Sequence, residues 1–293
     1  MFDETQLPTR ESYSVGYDVA ACEFFSRRRA RTHAGFFLPY LRPGIRLLDI
    51  GCGPGSITID LAQCLAPGEV VGVDIEPTQI ERARQLAAQK QVTNVRFNVA
   101  DTYALPNADC SFDAVLMHGV LEHRRDPERA LREVLRVLRP NGVLGARHAD
   151  FGGFLIEPAV APLDQFASLF SQLMRHNGSD PHAGRHQLQW LRAAGFDRVA
   201  VSASYDCWTS SADETRETSR FLHSLFSDSD FARQLISAGL ANTDLLTQFH
   251  TAINDWTNNA DAFAAEAWTE VIAKRPERDP ATEPGLASIR STG

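Results

Sequence analysis

Short apolar runs alternate with helical patterns along the first half of the chain. Runs typical of buried strands cover residues 45–50, 69–73, 95–99, 112–117 and 143–148. Helical spacing of apolar residues lies between them, at 56–66, at 77–91 and after Asp126-Pro127. Because parallel strands are joined by crossover helices, this order predicts a parallel sheet with helices on both faces.

The second half of the chain is less regular. A loop and a helix are expected within 151–185, a helix at 187–194, a strand at 198–204 and two or three helices within 213–258. The Ala and Glu content of 262–273 favours a helix, whereas its position favours a last edge strand. The Pro-rich, charged end is typical of disorder. The predicted units are an N-terminal helical lid (1–44), an α/β core (45–205) with a lid insertion (151–185), a helical substrate lid (206–260), a last edge strand (261–275) and a disordered tail (276–293).

The composition narrows the class of protein. With 293 residues, 43% of them hydrophobic and 23% charged, the chain fits one large α/β domain with insertions, or two small domains. Its five cysteines are odd in number and widely spaced, which argues against a disulfide framework or a metal site. No apolar run approaches the ~20 residues of a membrane span, and the first residues are acidic. We therefore expect a cytoplasmic protein with no metal and no membrane contact.

The strongest local signal is the segment Leu-Leu-Asp-Ile-Gly-Cys-Gly-Pro-Gly at 47–55, where a strand runs into a glycine loop and a helix. Glycines there let the backbone approach a ligand closely. A dinucleotide-binding loop requires glycine where this chain has Ser56, so a nicotinamide-linked oxidoreductase is disfavoured. Asp49, two residues before Gly51, favours a positively charged ligand. S-adenosylmethionine, with its ammonium and sulfonium and no phosphate, meets that requirement.

Carboxylates also follow the next two strands. Asp74 can accept hydrogen bonds from ribose hydroxyls, and Asp101, followed by Thr102, can accept from the amine of adenine. Any one of these residues alone is more typical of a turn or a helix cap. Three carboxylates at successive strand ends beside a glycine loop predict a cofactor crevice.

Several segments resemble the successive motifs of class I S-adenosylmethionine-dependent methyltransferases, most closely the ubiquinone/menaquinone-biosynthesis type. They are Asp-Ile-Gly-Cys-Gly-Pro-Gly at 49–55, Val-Gly-Val-Asp at 71–74, Asp101, Ser-Phe-Asp-Ala-Val at 111–115, and Glu-Val-Leu-Arg-Val-Leu-Arg-Pro-Asn-Gly at 133–142. Asn141 stands where the family has glycine, and asparagine tolerates the left-handed geometry. The match spans roughly residues 30–205 and says little about the acceptor.

The resemblance implies a Rossmann-like, doubly wound, mostly parallel seven-stranded sheet with helical lid insertions. It also implies methyl transfer from S-adenosylmethionine to a small-molecule acceptor, through an O, N, C or S nucleophile that the sequence leaves open. The cofactor-binding residues it implies are Tyr17, Asp49, Gly51, Cys52, Gly53, Asp74, Ile75, Asp101, Thr102 and His118.

The acceptor is expected beyond the fourth and fifth strands, because the cofactor occupies the ends of the first three. Candidate catalytic residues there are His118, Glu122 and His123, since imidazole is a suitable base near neutral pH. A structural role, with His123 bonded to the backbone, is the alternative. Arg147 and Asp150 either orient a polar substrate or form an ion pair.

The helical stretches at 151–185 and 213–258 are expected to close the acceptor site. In this interpretation His118, His123 and Arg147 face the acceptor, and Gly152 and Gly153 act as hinges. Tyr13 and Tyr17 cover the cofactor. Ordinary core packing or a homodimer interface produces the same apolar pattern.

Proteins that bind the cofactor without transferring methyl, such as a cyclase, an isomerase or a regulator, keep the same cofactor motifs. The sequence does not separate these alternatives from a methyltransferase. Formation of S-adenosylhomocysteine separates a methyltransferase from these alternatives.

The net charge of −8 predicts that the protein does not bind nucleic acid, because an acidic surface repels the phosphate backbone. The Asn/Asp-Pro-Pro-aromatic motif that grips a planar amine or amide in some nucleic-acid methyltransferases is also missing after the fourth strand. The basic run at 27–31 is typical of a solvated helix face, with a phosphate contact as the alternative. We expect no gel shift of random oligonucleotides at physiological salt; micromolar or tighter binding would contradict this and point to 27–31.

Overall fold

The fold is a seven-stranded sheet, in a computed structural model that describes residues 11–277. The strand order is β3-β2-β1-β4-β5-β7-β6. The strands are β1 (Leu47–Ile50), β2 (Val70–Asp74), β3 (Val95–Val99), β4 (Phe112–His118), β5 (Leu138–Glu157), β6 (Asp197–Cys207) and β7 (Phe263–Lys274). β1 to β5 are parallel, and β7 pairs antiparallel with β5 and β6. The predicted mostly parallel, Rossmann-like sheet is confirmed.

Helices connect the strands and build the lid. They are α1 (Val19–Ser26), α2 (Ala30–His33), α3 (Ser56–Leu65), α4 (Pro77–Gln89), α5 (Pro127–Val137), α6 (Phe166–His176), α7 (Ala183–Ala194), α8 (Ala212–Leu225), α9 (Asp230–Ser237) and α10 (Thr243–Thr257). The start of α5 follows from the sequence: Asp126 accepts a hydrogen bond from the Arg129 backbone N–H at 2.9 Å, and Pro127 takes the first helical position. Residues 278–293, most of the predicted tail, lie outside the described residues, as do residues 1–10 of the predicted N-terminal lid.

The prediction that the last strand lies at the edge of the sheet is wrong. β7 lies between β5 and β6, and β6 is the edge strand. Val271, Ile272 and Ala273 of β7 are buried, whereas Val201 and Tyr205 of β6 are 50% and 53% exposed. A strand with buried side chains is stable between two neighbours, and position along the chain does not decide that order.

The predicted boundary between the core and a lid insertion at residue 151 is also wrong. β5 continues to Glu157, which pairs with Phe263, after a register shift between Asp150 and Leu155. Gly152 and Gly153 lie within this irregular stretch, and their role as hinges stays a prediction. A Cβ on Gly153 would stand 2.7 Å from the Cβ of Ala267, so glycine is needed for the close approach of β5 to β7.

The lid helices share a hydrophobic core of their own. Buried residues of α6, α8, α9 and α10 form one cluster that is separate from the clusters around the sheet. The rings of Phe226 and Phe249 stack 3.9 Å apart, and Trp256 is fully buried. The Trp256 Nε1–H donates to the Glu157 carbonyl at 2.8 Å, which joins this core to the end of β5. No helix among residues 11–277 is long and apolar enough to cross a membrane.

Trp256→Ala is expected to lower the free energy of unfolding by about 3–5 kcal/mol, because it empties the centre of the lid core. Urea unfolding followed by circular dichroism measures the change. Ile236→Ala, at a side chain on α9 that is 45% exposed, is the control and is expected to cost less than about 1 kcal/mol. A loss of under about 1 kcal/mol for Trp256→Ala would show that the lid is loosely packed.

Candidate functional site

A cavity lies at the carboxyl ends of β1, β2 and β4, beneath the N-terminal segment; we call it the cofactor cavity. The glycine loop forms its floor. Gly51 and Gly53 have positive φ angles of 70° and 51°, which favour glycine. A Cβ on Gly51 would stand 2.5 Å from Val120 Cγ2, whereas one on Gly53 would meet nothing within 4 Å. The backbone at Gly53 is therefore open to a ligand.

Asp74 ends β2 at the wall of this cavity. Its carboxylate accepts hydrogen bonds from the backbone N–H groups of Gly53 and Glu76, each at 2.9 Å. A carboxylate has about four lone-pair sites, so acceptor capacity remains for hydroxyls of a ligand. Burial raises the pKa of Asp74 despite these two hydrogen bonds.

Asp49 lies deeper, on β1, and is only 3% exposed. Its carboxylate accepts a 2.6 Å hydrogen bond from Thr58 Oγ1. Burial raises the pKa of Asp49 to about 7, and the nearby Asp74 carboxylate raises it further while the Thr58 hydrogen bond lowers it. A cation in the cavity would stabilise the ionised form of Asp49.

Nine of the ten predicted cofactor residues line this cavity. They are Tyr17, Asp49, Gly51, Cys52, Gly53, Asp74, Ile75, Thr102 and His118. The Thr102 Oγ1 atom is buried and has no hydrogen-bond partner among residues 11–277, so a ligand would supply one.

The tenth predicted cofactor residue, Asp101, is not part of the lining. Its side chain is exposed, and Oδ1 accepts a hydrogen bond from the Tyr103 backbone N–H at 2.9 Å. This Asx turn directs the carboxylate away from the cavity. The role of Asp101 in cofactor binding therefore stays a prediction.

A second cavity adjoins the first and is walled by aromatic rings; we call it the aromatic chamber. Its aromatic lining residues are Tyr13, Phe24, Phe25, Phe151, Phe166, Phe170, Trp208, Phe221 and Trp268. The predicted lid segments contribute α6 and α8 to this wall. Tyr13, Phe25, Arg28, Gly119 and His123 line both cavities. The two spaces therefore meet at a shared wall.

His123 belongs to that shared wall. Its ring packs edge-on against Tyr13, with centroids 4.7 Å apart. The Nδ1 atom is buried and has no hydrogen-bond partner within the described part of the chain. Burial lowers the pKa of His123 to about 4, so the imidazole is neutral at neutral pH. In the tautomer that carries its proton on Nε2, the free Nδ1 nitrogen at the junction can accept a hydrogen bond or a proton from a bound molecule.

The other two predicted catalytic residues are engaged within the protein. Arg147 Nη1 donates to His118 Nε2 at 3.0 Å, so that lone pair is not free to take a proton. Burial, followed by the charge of Arg28, holds the pKa of His118 well below its usual range. Glu122 lies 2.8 Å from His148 Nδ1. The His148 charge and hydrogen bond lower the pKa of Glu122 to about 2 against its burial, which makes it a poor base.

The predicted substrate residues Arg147 and Asp150 line neither cavity, and their role toward a substrate stays a prediction. Arg147 is 1% exposed and pairs with Asp206 at 2.7 Å and Glu270 at 3.3 Å. Asp150 is held by Arg185 at 2.5 Å. A buried or half-buried charge needs a partner. Each of the two side chains has its partner inside the fold, and they do not pair with each other.

The sequence did not predict three charged residues of the site: Arg28, Glu266 and Arg124, which lines the cofactor cavity and pairs with Glu11 at 2.9 Å. Arg28 was assigned to a solvated helix face, but its guanidinium lies 4.5 Å from the Phe25 ring centroid and lines both cavities. Glu266, on β7, is 5% exposed and faces the chamber. Alternation along β7 places Glu266 on the same face as Trp268. The sequence alone does not reveal this, because residues 262–273 are compatible with either a helix or a strand.

Comparisons with known proteins agree with this arrangement. A family model described as a methyltransferase domain matches residues 41–195. An uncharacterised methyltransferase of Schizosaccharomyces pombe is 30% identical over 211 residues, which cover 70% of this chain and 76% of the relative. The ubiquinone/menaquinone biosynthesis C-methyltransferase UbiE of Ectopseudomonas mendocina is 42% identical over 106 residues, 36% of this chain and 41% of the relative.

A solved structure shows the same fold. The YcgJ protein of Bacillus subtilis has a TM-score of 0.55 and 21% sequence identity, and the match covers 83% of this chain and 98% of that one. The sheet order, the glycine loop and the family match lead to one conclusion. The chain belongs to the methyltransferase-domain family of class I S-adenosylmethionine-dependent methyltransferases.

Proposed function

We propose that the protein transfers the methyl group of S-adenosylmethionine to a small, largely apolar acceptor bound in the aromatic chamber. The observation that carries this proposal is the wall shared by the two cavities, with His123 in it. Methyl transfer needs an acceptor aligned with the cofactor and protected from water. A polar cavity that opens into an aromatic one meets both needs.

The residues of the first cavity fit the cofactor. Asp49 would stabilise its ammonium group, Asp74 would accept from its ribose hydroxyls, and Thr102 would hydrogen-bond near the adenine. The buried Thr102 hydroxyl without a partner and the open backbone at Gly53 support this assignment. When bound, the cofactor supplies a methyl carbon activated by its sulfonium.

His123 would act on the acceptor. Because the ring is neutral at neutral pH, the buried Nδ1 atom would accept a hydrogen bond from the nucleophile and, where the nucleophile carries a proton, receive it. The aromatic walls exclude water. His118 and Glu122, which are held by Arg147 and His148, would keep the loop after β4 in position.

The acidic charge supports an acceptor that is not a nucleic acid. The odd and widely spaced cysteines suit the reducing cytoplasm. That the protein forms a homodimer remains a prediction.

Asp49 is expected to make cofactor binding depend on pH. The affinity for S-adenosylhomocysteine, measured by calorimetry, should rise about five- to tenfold from pH 6 to 7.5, because protonated Asp49, with a pKa of about 7, does not attract the ammonium. Asp49→Asn should bind S-adenosylhomocysteine more weakly, and its affinity should not rise between pH 6 and 7.5, even though this variant keeps the nearby Asp74 carboxylate. Asp244→Asn, at an exposed position on α10, is the control. An unchanged rise in Asp49→Asn would place the titrating group elsewhere.

His123→Phe is expected to lower kcat about 100-fold or more, because the ring then lacks the nitrogen that receives a proton, while cofactor affinity stays nearly constant. Release of S-adenosylhomocysteine in the presence of an acceptor panel measures turnover. His176→Phe, at an exposed position on α6, should leave the rate unchanged. Cofactor binding with no S-adenosylhomocysteine formed from any acceptor would favour a protein that uses the fold without methyl transfer, such as a cyclase.

A further inference from the structure

Arg28 occupies a central place in the molecule. It lines the cofactor cavity, the aromatic chamber and a third cavity, which opens between α1, α2 and the end of β6. We call this third space the side cavity. The guanidinium carbon lies 4.5 Å from the Phe25 ring centroid and 5.3 Å from that of Trp268. Among residues 11–277 the Arg28 side chain makes no ion pair and no hydrogen bond, so its five N–H donors are available.

Glu266 faces the same space from β7. It lines the chamber and the side cavity, is 5% exposed, and makes no hydrogen bond through its carboxyl group with any of the described residues. It also forms no ion pair within 4.0 Å with Arg28. The carboxyl group of this buried side chain is therefore available to hydrogen-bond a molecule bound in the chamber.

The remaining carboxylates near Arg28 are already used. Asp206 receives two hydrogen bonds from the Arg147 guanidinium, at 2.7 and 3.0 Å. Glu122 is bound to His148. Among the described residues that line the chamber, Arg28 is therefore a cation and Glu266 a carboxyl group without a hydrogen-bond or ion-pair partner.

We propose that Arg28 and Glu266 recognise an anionic oxygen of the acceptor, which makes the substrate a hydrophobic acid with a carboxylate, phenolate or enolate group. The proposal rests on the proposed function, because it takes the chamber as the acceptor site. The apolar body of such a molecule would pack against the aromatic walls. Its anionic oxygen would accept hydrogen bonds from the guanidinium and from the protonated Glu266 carboxyl group.

The protonation of Glu266 agrees with this role. Burial raises the pKa of Glu266 to about 8; the Arg28 and Arg147 charges lower it, and the Asp206 and Glu122 charges raise it. The carboxyl group is therefore largely protonated at neutral pH and can donate. His123 of the chamber and His33 of the side cavity have pKa values lowered by burial to about 4, so both stay neutral from pH 7 to pH 9.

An ammonium ligand is the main competing occupant, since aromatic cages with a carboxylate bind cations. The guanidinium of Arg28 would repel such a ligand at short range. The same guanidinium attracts an anion, and it has no ion-pair partner of its own among residues 11–277. The charge distribution therefore favours an acid over an amine.

The test compares three probes with one ring system: 2-naphthoate, neutral 2-naphthamide and cationic 2-naphthylmethylammonium. Binding is measured by calorimetry on protein loaded with S-adenosylhomocysteine and on free protein. We expect 2-naphthoate to bind about tenfold or more tightly than either other probe, the scale of a charge-assisted hydrogen bond. Arg28→Met should abolish the preference, Arg28→Lys should keep part of it, and Arg31→Met, at an exposed position on α2, should leave it unchanged.

A second measurement isolates Glu266. The affinity for 2-naphthoate should fall several-fold between pH 7 and pH 9, because ionised Glu266 repels the anion. Glu266→Gln, which keeps a donor and does not titrate, should bind 2-naphthoate with little change over this range. The circular dichroism spectrum of each variant checks that it is folded.

Several results would overturn the proposal: no preference for 2-naphthoate, including no binding of any probe, a preference for the ammonium, or a preference that survives in Arg28→Met. An equal pH dependence in Glu266→Gln would remove Glu266 from it. Failure of S-adenosylhomocysteine to bind would instead count against the proposed function, because the probes are also measured on the free protein.

Discussion

The acceptor side of the molecule depends on one buried cation. Arg147, on β5, is 1% exposed and directs its guanidinium to Asp206 on β6 and Glu270 on β7. A buried guanidinium without partners costs several kcal/mol, so these three strands must keep the register that brings both carboxylates to it. The same side chain donates to His118 and lies 4.5 Å from the Trp268 ring centroid. The wall behind the two cavities is thereby fixed.

This constraint explains the sheet order better than strand length or position does. β7 is interior because it carries Glu270 for Arg147 beside the buried residues Val271 and Ile272. The same placement turns Glu266 toward the aromatic chamber. The ion pairs of the outer strands thus determine which side chains of β7 reach a substrate.

The sequence revealed the cofactor side and hid most of the acceptor side. Asp49 and Gly51 are two residues apart on one strand and its loop, so local pattern is enough to predict that they meet. Arg28, His123 and Glu266 come from the N-terminal region, the loop after β4 and the last strand, and only the tertiary fold brings them together. The strand-end position of Asp101 does not reveal that a local Asx turn to Tyr103 engages its carboxylate.

The charged groups of the two cavities come from different parts of the fold. The strand ends of the sheet supply Asp49 and Asp74 to the cofactor cavity, β7 supplies Glu266 to the chamber, and the segment between α1 and α2 supplies Arg28 to both. The lid core packs largely on itself, so a change of volume at Phe166 or Phe221 alters the chamber and leaves Asp49 and Asp74 in place. The chamber lies between the lid core and the core around the sheet, which pack separately. Acceptor choice can therefore change independently of cofactor binding.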